Sequence, residues 1–176
     1  MPFLPLRPVP VADAAADLYD EWLAWLREAL DDPACDRNEL CRAVLTDIYY
    51  PEASEVDPSA LSPTARVALA QMDPRNVTLE PEYYEEIDLD RYEPRKPLLW
   101  LWEMFDRSAL GENVELGVHF RRILARHVFG RCGKNFKAFT HVRFSYGYNM
   151  EVGDGVVIHR HVLMDHRGGI EIGDGA

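Results

Sequence analysis

The sequence predicts an α+β fold, with a helical N-terminal region followed by short stacked β-strands. A glycine-led turn recurs every twenty residues, at Gly133, Gly153 and Gly173. Between these turns, apolar residues occur in pairs two apart, which places both members on one face of a short strand. The pairs are Phe136/Ala138, Val142/Phe144, Met150/Val152, Val156/Ile158, Val162/Met164 and Ile170/Ile172. Successive pairs begin six residues apart, except for one step of eight residues in each twenty-residue repeat. We call each such repeat a coil. Tight corners between stacked strands produce this pattern, and a helix does not, so residues 132–176 are interpreted as an incomplete hexapeptide-repeat β-helix.

Residues 1–97 are predicted to form an acidic helical region. Prolines keep the first ten residues extended, and an amphipathic helix follows over Asp13–Leu30. Asp36 and Glu39 have the spacing of a capping box, which predicts a second helix that ends at Pro51. A third helix is predicted over Pro63–Met72. The acidic, proline-punctuated stretch from Glu80 to Pro97 is interpreted as an irregular linker or a packed surface segment.

Residues 98–131 are predicted to form apolar and basic helices that cap the stack of strands. Leu98–Phe105 is the most apolar run of the chain and indicates a buried helix or a patch that faces a partner. Gly111 is predicted to break this helix. An amphipathic helix is expected over Leu116–Val128, with arginines on its polar face, and it ends at Gly130. Such a helix can cover the apolar end of a repeat structure, which needs a cap.

The net charge of -11 is unevenly distributed. Residues 1–97 hold 21 acidic and 9 basic side chains, whereas residues 98–176 hold 9 acidic and 10 basic ones. The stretch 116–150 has no acid and seven cations: Arg121, Arg122, Arg126, Arg131, Lys134, Lys137 and Arg143. These cations can either attract phosphate groups or pair with the acidic first half. No nucleic-acid partner is expected, because the whole chain is acidic and has no recognised binding motif.

No membrane span is predicted, because no apolar run approaches the roughly 18 residues that a spanning helix needs. Met1–Pro5 lacks the basic and then apolar layout of a signal peptide, so a cytoplasmic location is expected. Cys35, Cys41 and Cys132 are an odd number without metal-type spacing. They are therefore expected to be reduced and buried.

The segment Phe144–Asp154 (FSYGYNMEVGD), followed by Gly173, resembles the first coils of the maltose and galactoside O-acetyltransferases and their polysaccharide-modifying relatives. The resemblance covers residues 132–176. It implies a left-handed β-helix, a homotrimer, and transfer of an acetyl group from acetyl-CoA to a hydroxyl of a sugar or related acceptor. It also implies a general-base histidine in a coil beyond Ala176. No catalytic residue is therefore assigned, and the chain, as a fragment or a piece completed by partners, is expected to be inactive alone.

The acceptor is expected at the corner where the eight-residue steps occur. Ser145 and Asp165 are twenty residues apart, so they should lie on adjacent coils roughly 5 Å from each other. The resemblance implies that Ser145, Asp165 and His159 bind the acceptor, although Asp165 lies within one residue of the family's aspartate and His159 stands where the family has an asparagine. Alternatively, Asp165 and the Gly168–Gly169 pair only build a wider turn.

The remaining histidines leave two other functions open. His141 and His161 are twenty residues apart and should stack, most simply as exposed corner side chains. His161 and His166 have a spacing that fits a zinc protein like the γ-class carbonic anhydrases, although the third candidate ligand, His127, lies in a predicted helix. The other alternative is a non-catalytic oligomerisation or scaffold piece.

Overall fold

A computed structural model describes residues 9–53 and 56–176, so the prediction for the first eight residues lies outside the described part of the chain. The fold is α+β, with helices first and short parallel strands last. The α-helices are α1 (Asp13–Asp31), α2 (Arg37–Tyr49), α3 (Pro63–Ala70), α4 (Leu89–Tyr92), α5 (Lys96–Asp106), α6 (Ala109–Glu112) and α7 (Val114–Val128). Short 3-10 helices occupy Pro58–Ala60, Pro74–Asn76 and Glu80–Tyr83. No helix in these described ranges is both long and apolar enough to cross a membrane.

The predicted helices α1, α2 and α3 are confirmed, with small differences at their ends. Asp36 caps α2, because its carboxylate accepts hydrogen bonds from the backbone N–H groups of Asn38 and Glu39. The reciprocal half of the expected capping box does not form. The carboxylate of Glu39 instead pairs with the guanidinium groups of Arg42, within α2, and of Arg75, which attaches α2 to the 3-10 helix Pro74–Asn76.

Helix α5 forms the centre of the helical region, and its apolar run is buried as predicted. The core is continuous from Leu23 in α1, through α5, to Met164 in the strands. The helix ends at Asp106, five residues before the predicted break at Gly111. Gly111 lies inside α6, where a Cβ atom would come within 2.7 Å of the Asp106 Cα atom. Its role is therefore close packing of α6 against the end of α5.

The strands are β1 (Arg131–Cys132), β2 (Lys137–Ala138), β3 (Arg143–Phe144), β4 (Met150–Val152), β5 (Val157–Ile158), β6 (Leu163–Met164) and β7 (Ile170–Ile172). They form three parallel sheets, β1-β4-β7, β2-β5 and β3-β6, which the chain visits in turn. Every paired residue lies twenty positions from its partner, as the glycine spacing predicted. The first two glycines align at one corner, since the Gly133 N–H donates to Val152 and the Gly153 N–H donates to Ile172, both at 2.9 Å.

Helix α7 lies against the first coil of strands. The Arg122 Nε–H donates to the carbonyl oxygen of Phe136 at 2.7 Å. The side chain of Arg121 is buried, where it pairs with Asp106 and reaches the carbonyl oxygen of Ala138 at 3.3 Å. The helix thus covers the apolar interior of the first coil and joins it to α5. Such contacts satisfy both the carbonyl groups at the end of the stack and the buried charges of the helices.

Candidate functional site

The structure brings Ser145 and Asp165 together at the predicted corner. The pairing of β3 with β6 places Phe144 beside Met164. The residues that directly follow these two strands, Ser145 and Asp165, therefore also lie side by side. The Ser145 hydroxyl lies 3.4 Å from Asp165 Oδ1, and both side chains are accessible at the surface. We call residues 145–149 and 165–169 the expanded corner. It presents a hydroxyl and a carboxylate side by side on a rigid support.

Arg167 holds the carboxylate of Asp165, a contact that was not predicted from the sequence. The Arg167 Nε–H donates to Asp165 Oδ1 at 2.9 Å, and Nη2 donates to Oδ2 at 2.8 Å. These hydrogen bonds hold the pKa of Asp165 below its usual range. An arginine two residues after an aspartate in a turn is the sequence signal for this pair. The carboxylate is therefore ionised and fixed in orientation, and its remaining lone pairs can accept hydrogen bonds from a hydroxylated ligand.

His166 lies beneath the expanded corner and is fully buried. Its Nδ1 donates to the carbonyl oxygen of Met164 at 3.0 Å, and its Nε2 accepts from the backbone N–H of Gly147 at 2.7 Å. Burial lowers its pKa, so the ring is neutral near pH 7. Because both ring nitrogens are used within the chain, His166 has no free lone pair for a proton or a zinc ion. It ties the two halves of the corner together, and it gives no support to the zinc alternative.

The segment after the 3-10 helix at 80–83 packs on the same corner, so it is a packed surface segment and not a free linker. Arg91 lies over the ring of Tyr148 at 4.5 Å and donates to the Tyr148 carbonyl oxygen at 2.8 Å. Glu86 pairs with Arg167 at 3.2 Å, and the ring of Tyr84 lies 4.4 Å from its guanidinium carbon. The acidic region thus borders the candidate site. Its residue Glu86 pairs with Arg167, which also pairs with Asp165.

Tyr146 forms the buried floor of the corner. Its ring is stacked on Tyr148 at 5.1 Å and meets Tyr92 edge-on at 6.3 Å. Within the described ranges 9–53 and 56–176, its hydroxyl has no hydrogen-bond partner. Burial raises the pKa of this hydroxyl, which keeps it protonated. The aromatic stack fixes the backbone of the corner through packing, and not through hydrogen bonds of the side chain.

His159 lies at a different corner of the coil from Ser145 and Asp165. It follows β5, and its ring is parallel to that of Phe139 at 5.5 Å. Within one chain the structure therefore brings together two of the three predicted acceptor-binding residues. His159 is fourteen residues after Ser145, whereas stacked residues are twenty apart. The sequence spacing therefore did not predict that these two side chains would stack.

His141 and His161 stack as predicted, with ring centroids 5.0 Å apart. Both have left-handed backbone angles, with φ values of 61° and 59°. His161 is exposed, but His141 differs from the simple exposed side chain that was expected. Its Nε2 lies 3.2 Å from Glu112, and its backbone N–H donates to Asp106 at 2.8 Å. The helical region therefore anchors His141, because α5 and α6 end beside this corner.

The chain was compared with protein-family models, with curated proteins and with solved structures, and none of these comparisons gives a match.

Proposed function

We propose that this chain carries the first coils of a left-handed β-helix of the hexapeptide-repeat acyltransferase class. In this proposal it takes part in transfer of an acetyl group from acetyl-CoA to a hydroxyl of a sugar or related acceptor. The observation that carries the proposal is the pairing of Ser145 with Asp165 at an expanded corner repeated after twenty residues. The three parallel sheets and their constant register support the same assignment.

The roles of the residues follow from their chemistry. Asp165 accepts a hydrogen bond from one acceptor hydroxyl, and Ser145 donates to or accepts from a second one. Arg167 is a positioning residue that holds the carboxylate in place. His159 lies at the neighbouring corner, so in this proposal it would contact only an acceptor that is held by an adjacent chain of the proposed homotrimer. Rigid strands support these side chains, so binding costs little conformational entropy.

The chemical step needs a base for the acceptor hydroxyl. Acetyl-CoA would supply the acetyl group as a thioester. The hydroxyl oxygen forms a bond to the carbonyl carbon as the base takes its proton, the C–S bond breaks, and the sulfur takes up a proton so that CoA leaves as the free thiol. His166 does not suit this role, because both of its nitrogens are engaged in the buried corner. We assign the base to a histidine outside residues 1–176, consistent with the resemblance.

The test is a measurement of thiol release from acetyl-CoA with a panel of mono- and disaccharides. The 176-residue chain is compared with a chain extended by any coding sequence that follows codon 176. We expect both to bind a sugar by calorimetry and only the extended chain to turn over. If neither chain binds any sugar or acetyl-CoA, the proposal is wrong and a scaffold function is favoured. If the 176-residue chain turns over by itself, the assignment of the base is wrong.

A further inference from the structure

A second cavity lies away from the expanded corner, between α7, the outer face of β2 and the segment before α1, which contributes Val9 and Val11. Its volume is about 720 Å³, and we call it the α7–β2 cleft. Val114, Val118 and Phe139 contribute apolar walls, and Arg122 and Lys137 contribute positive charge. Apolar walls with a few convergent polar groups are the usual composition of a small-molecule site.

Arg121, Arg131 and Arg143 of the basic stretch pair with carboxylates. Arg126 and Lys134, like the two cations of this cleft, have no ion pair among the described residues. Of these four, only Arg122 and Lys137 line the cleft. These two cations are therefore left for another anion.

Arg122 is also partly withdrawn from water. The Arg122 Nε–H donates to the Phe136 carbonyl oxygen, and this hydrogen bond fixes the plane of the guanidinium. The two terminal nitrogens do not take part in it. Burial and the nearby Arg126 lower the pKa of Arg122, and the nearby Glu115 acts on it in the opposite direction. A partly desolvated cation with no carboxylate in direct contact is costly, and an incoming anion relieves this cost. The acid in the cleft wall, Glu115, lies 3.3 Å from His119.

We propose that the α7–β2 cleft binds an organic anion, with its phosphate or carboxylate head group on Arg122 and Lys137 and its apolar body against Val118 and Phe139. The planar guanidinium suits either head group, because it offers parallel N–H donors to two oxygens. This site shares no residue with the expanded corner. Its ligand therefore does not compete with the acceptor proposed at that corner.

Calorimetry on the 176-residue chain tests this proposal with four probes: octyl phosphate, octanoate, inorganic phosphate and octanol. We expect an octyl anion to bind at least about tenfold more tightly than either inorganic phosphate or octanol, because only the anion uses both the charge and the apolar wall. The tighter of octyl phosphate and octanoate identifies the head group. Lys137→Gln should weaken this binding about tenfold.

Lys134→Gln is the matched control, because Lys134 belongs to the same basic stretch but does not line the cleft. It should leave the affinity within about twofold. Arg122→Lys is a second variant, which keeps the charge, loses the planar fork and should also weaken binding. Equal losses for Lys134→Gln and Lys137→Gln would mean unspecific attraction and overturn the proposal. Equal binding of octanol and the anions, or no binding of either anion at millimolar concentration, would also overturn it.

Discussion

The Nε2 atom of buried His166 accepts a hydrogen bond from the backbone N–H of Gly147 at 2.7 Å, which joins the two coils of the expanded corner. Only the neutral ring can accept this bond, since Nδ1 already donates to the Met164 carbonyl oxygen. Protonation of His166 therefore competes with the folded structure. The geometry of the expanded corner and the stability of the fold therefore both depend on the protonation state of His166.

We predict that the free energy of unfolding falls as the pH is lowered from about 7 to about 5.5. Burial lowers the pKa of His166 and of His127 in the folded chain. The unfolded chain therefore takes up protons below its ordinary histidine pKa of about 6.5, while the folded chain does not. This stability is complete above that pKa and is lost as the pH falls. Urea unfolding at several pH values measures it.

His166→Gln should make this pH dependence shallower, and His159→Gln is the control. His159 is exposed and stacks only at the surface, so its replacement should leave the slope unchanged. An unchanged slope in His166→Gln would contradict the assignment of a neutral buried ring.

Gly133→Ala should destabilise the 176-residue chain by about 1 to 3 kcal/mol, the usual effect of overpacking. A Cβ atom at Gly133 would come within 2.6 Å of the backbone nitrogen of Asp154 in the next coil. Gly173→Ala is a matched control at the same corner, because a Cβ atom there would meet no atom of the described residues within 4 Å. Its effect should stay within about 0.5 kcal/mol. Thermal unfolding measures both, and equal effects would contradict this packing.

Asp106→Asn should destabilise the fold by about 3 to 5 kcal/mol, because it leaves the buried Arg121 guanidinium without its counter-charge. Asp106 is 4% exposed and Arg121 is 1% exposed. The control is Glu103→Gln, which removes the partly exposed pairs of Glu103 with Arg107 and Arg143 and should cost less than about 1 kcal/mol. Chemical denaturation compares the two variants. A small effect of Asp106→Asn would mean that water reaches Arg121.

Asp165→Asn should weaken acceptor binding about tenfold if Asp165 holds the acceptor, since a hydrogen bond to a charged group is lost. Acetyl-CoA binding should hardly change. The control is Glu171→Gln, which removes an exposed carboxylate on the adjacent sheet. Calorimetry with each ligand separately measures the effects. Equal losses for the acceptor and for acetyl-CoA would indicate that Asp165 only shapes the turn.

The sequence by itself determined the longer helices α1, α2, α3, α5 and α7, the twenty-residue register and the position of Ser145 beside Asp165, but not the short helices α4 and α6. Local periodicity encodes these features, because a strand buries alternate residues and an aligned glycine permits each close corner. The end of α5 was misplaced at Gly111. A glycine marks both helix ends and close contacts, and only the packing of α6 on Asp106 distinguishes the two.

The tertiary structure alone decided which charges are neutralised and what surrounds the expanded corner. Glu86 is 81 residues from Arg167 along the chain, and no periodic pattern relates them. The same holds for Asp106 with Arg121, and for the cleft that leaves Arg122 and Lys137 without an acidic partner in the described chain. Charge pairing depends on distances through space and on burial, whereas the sequence records only order along the chain.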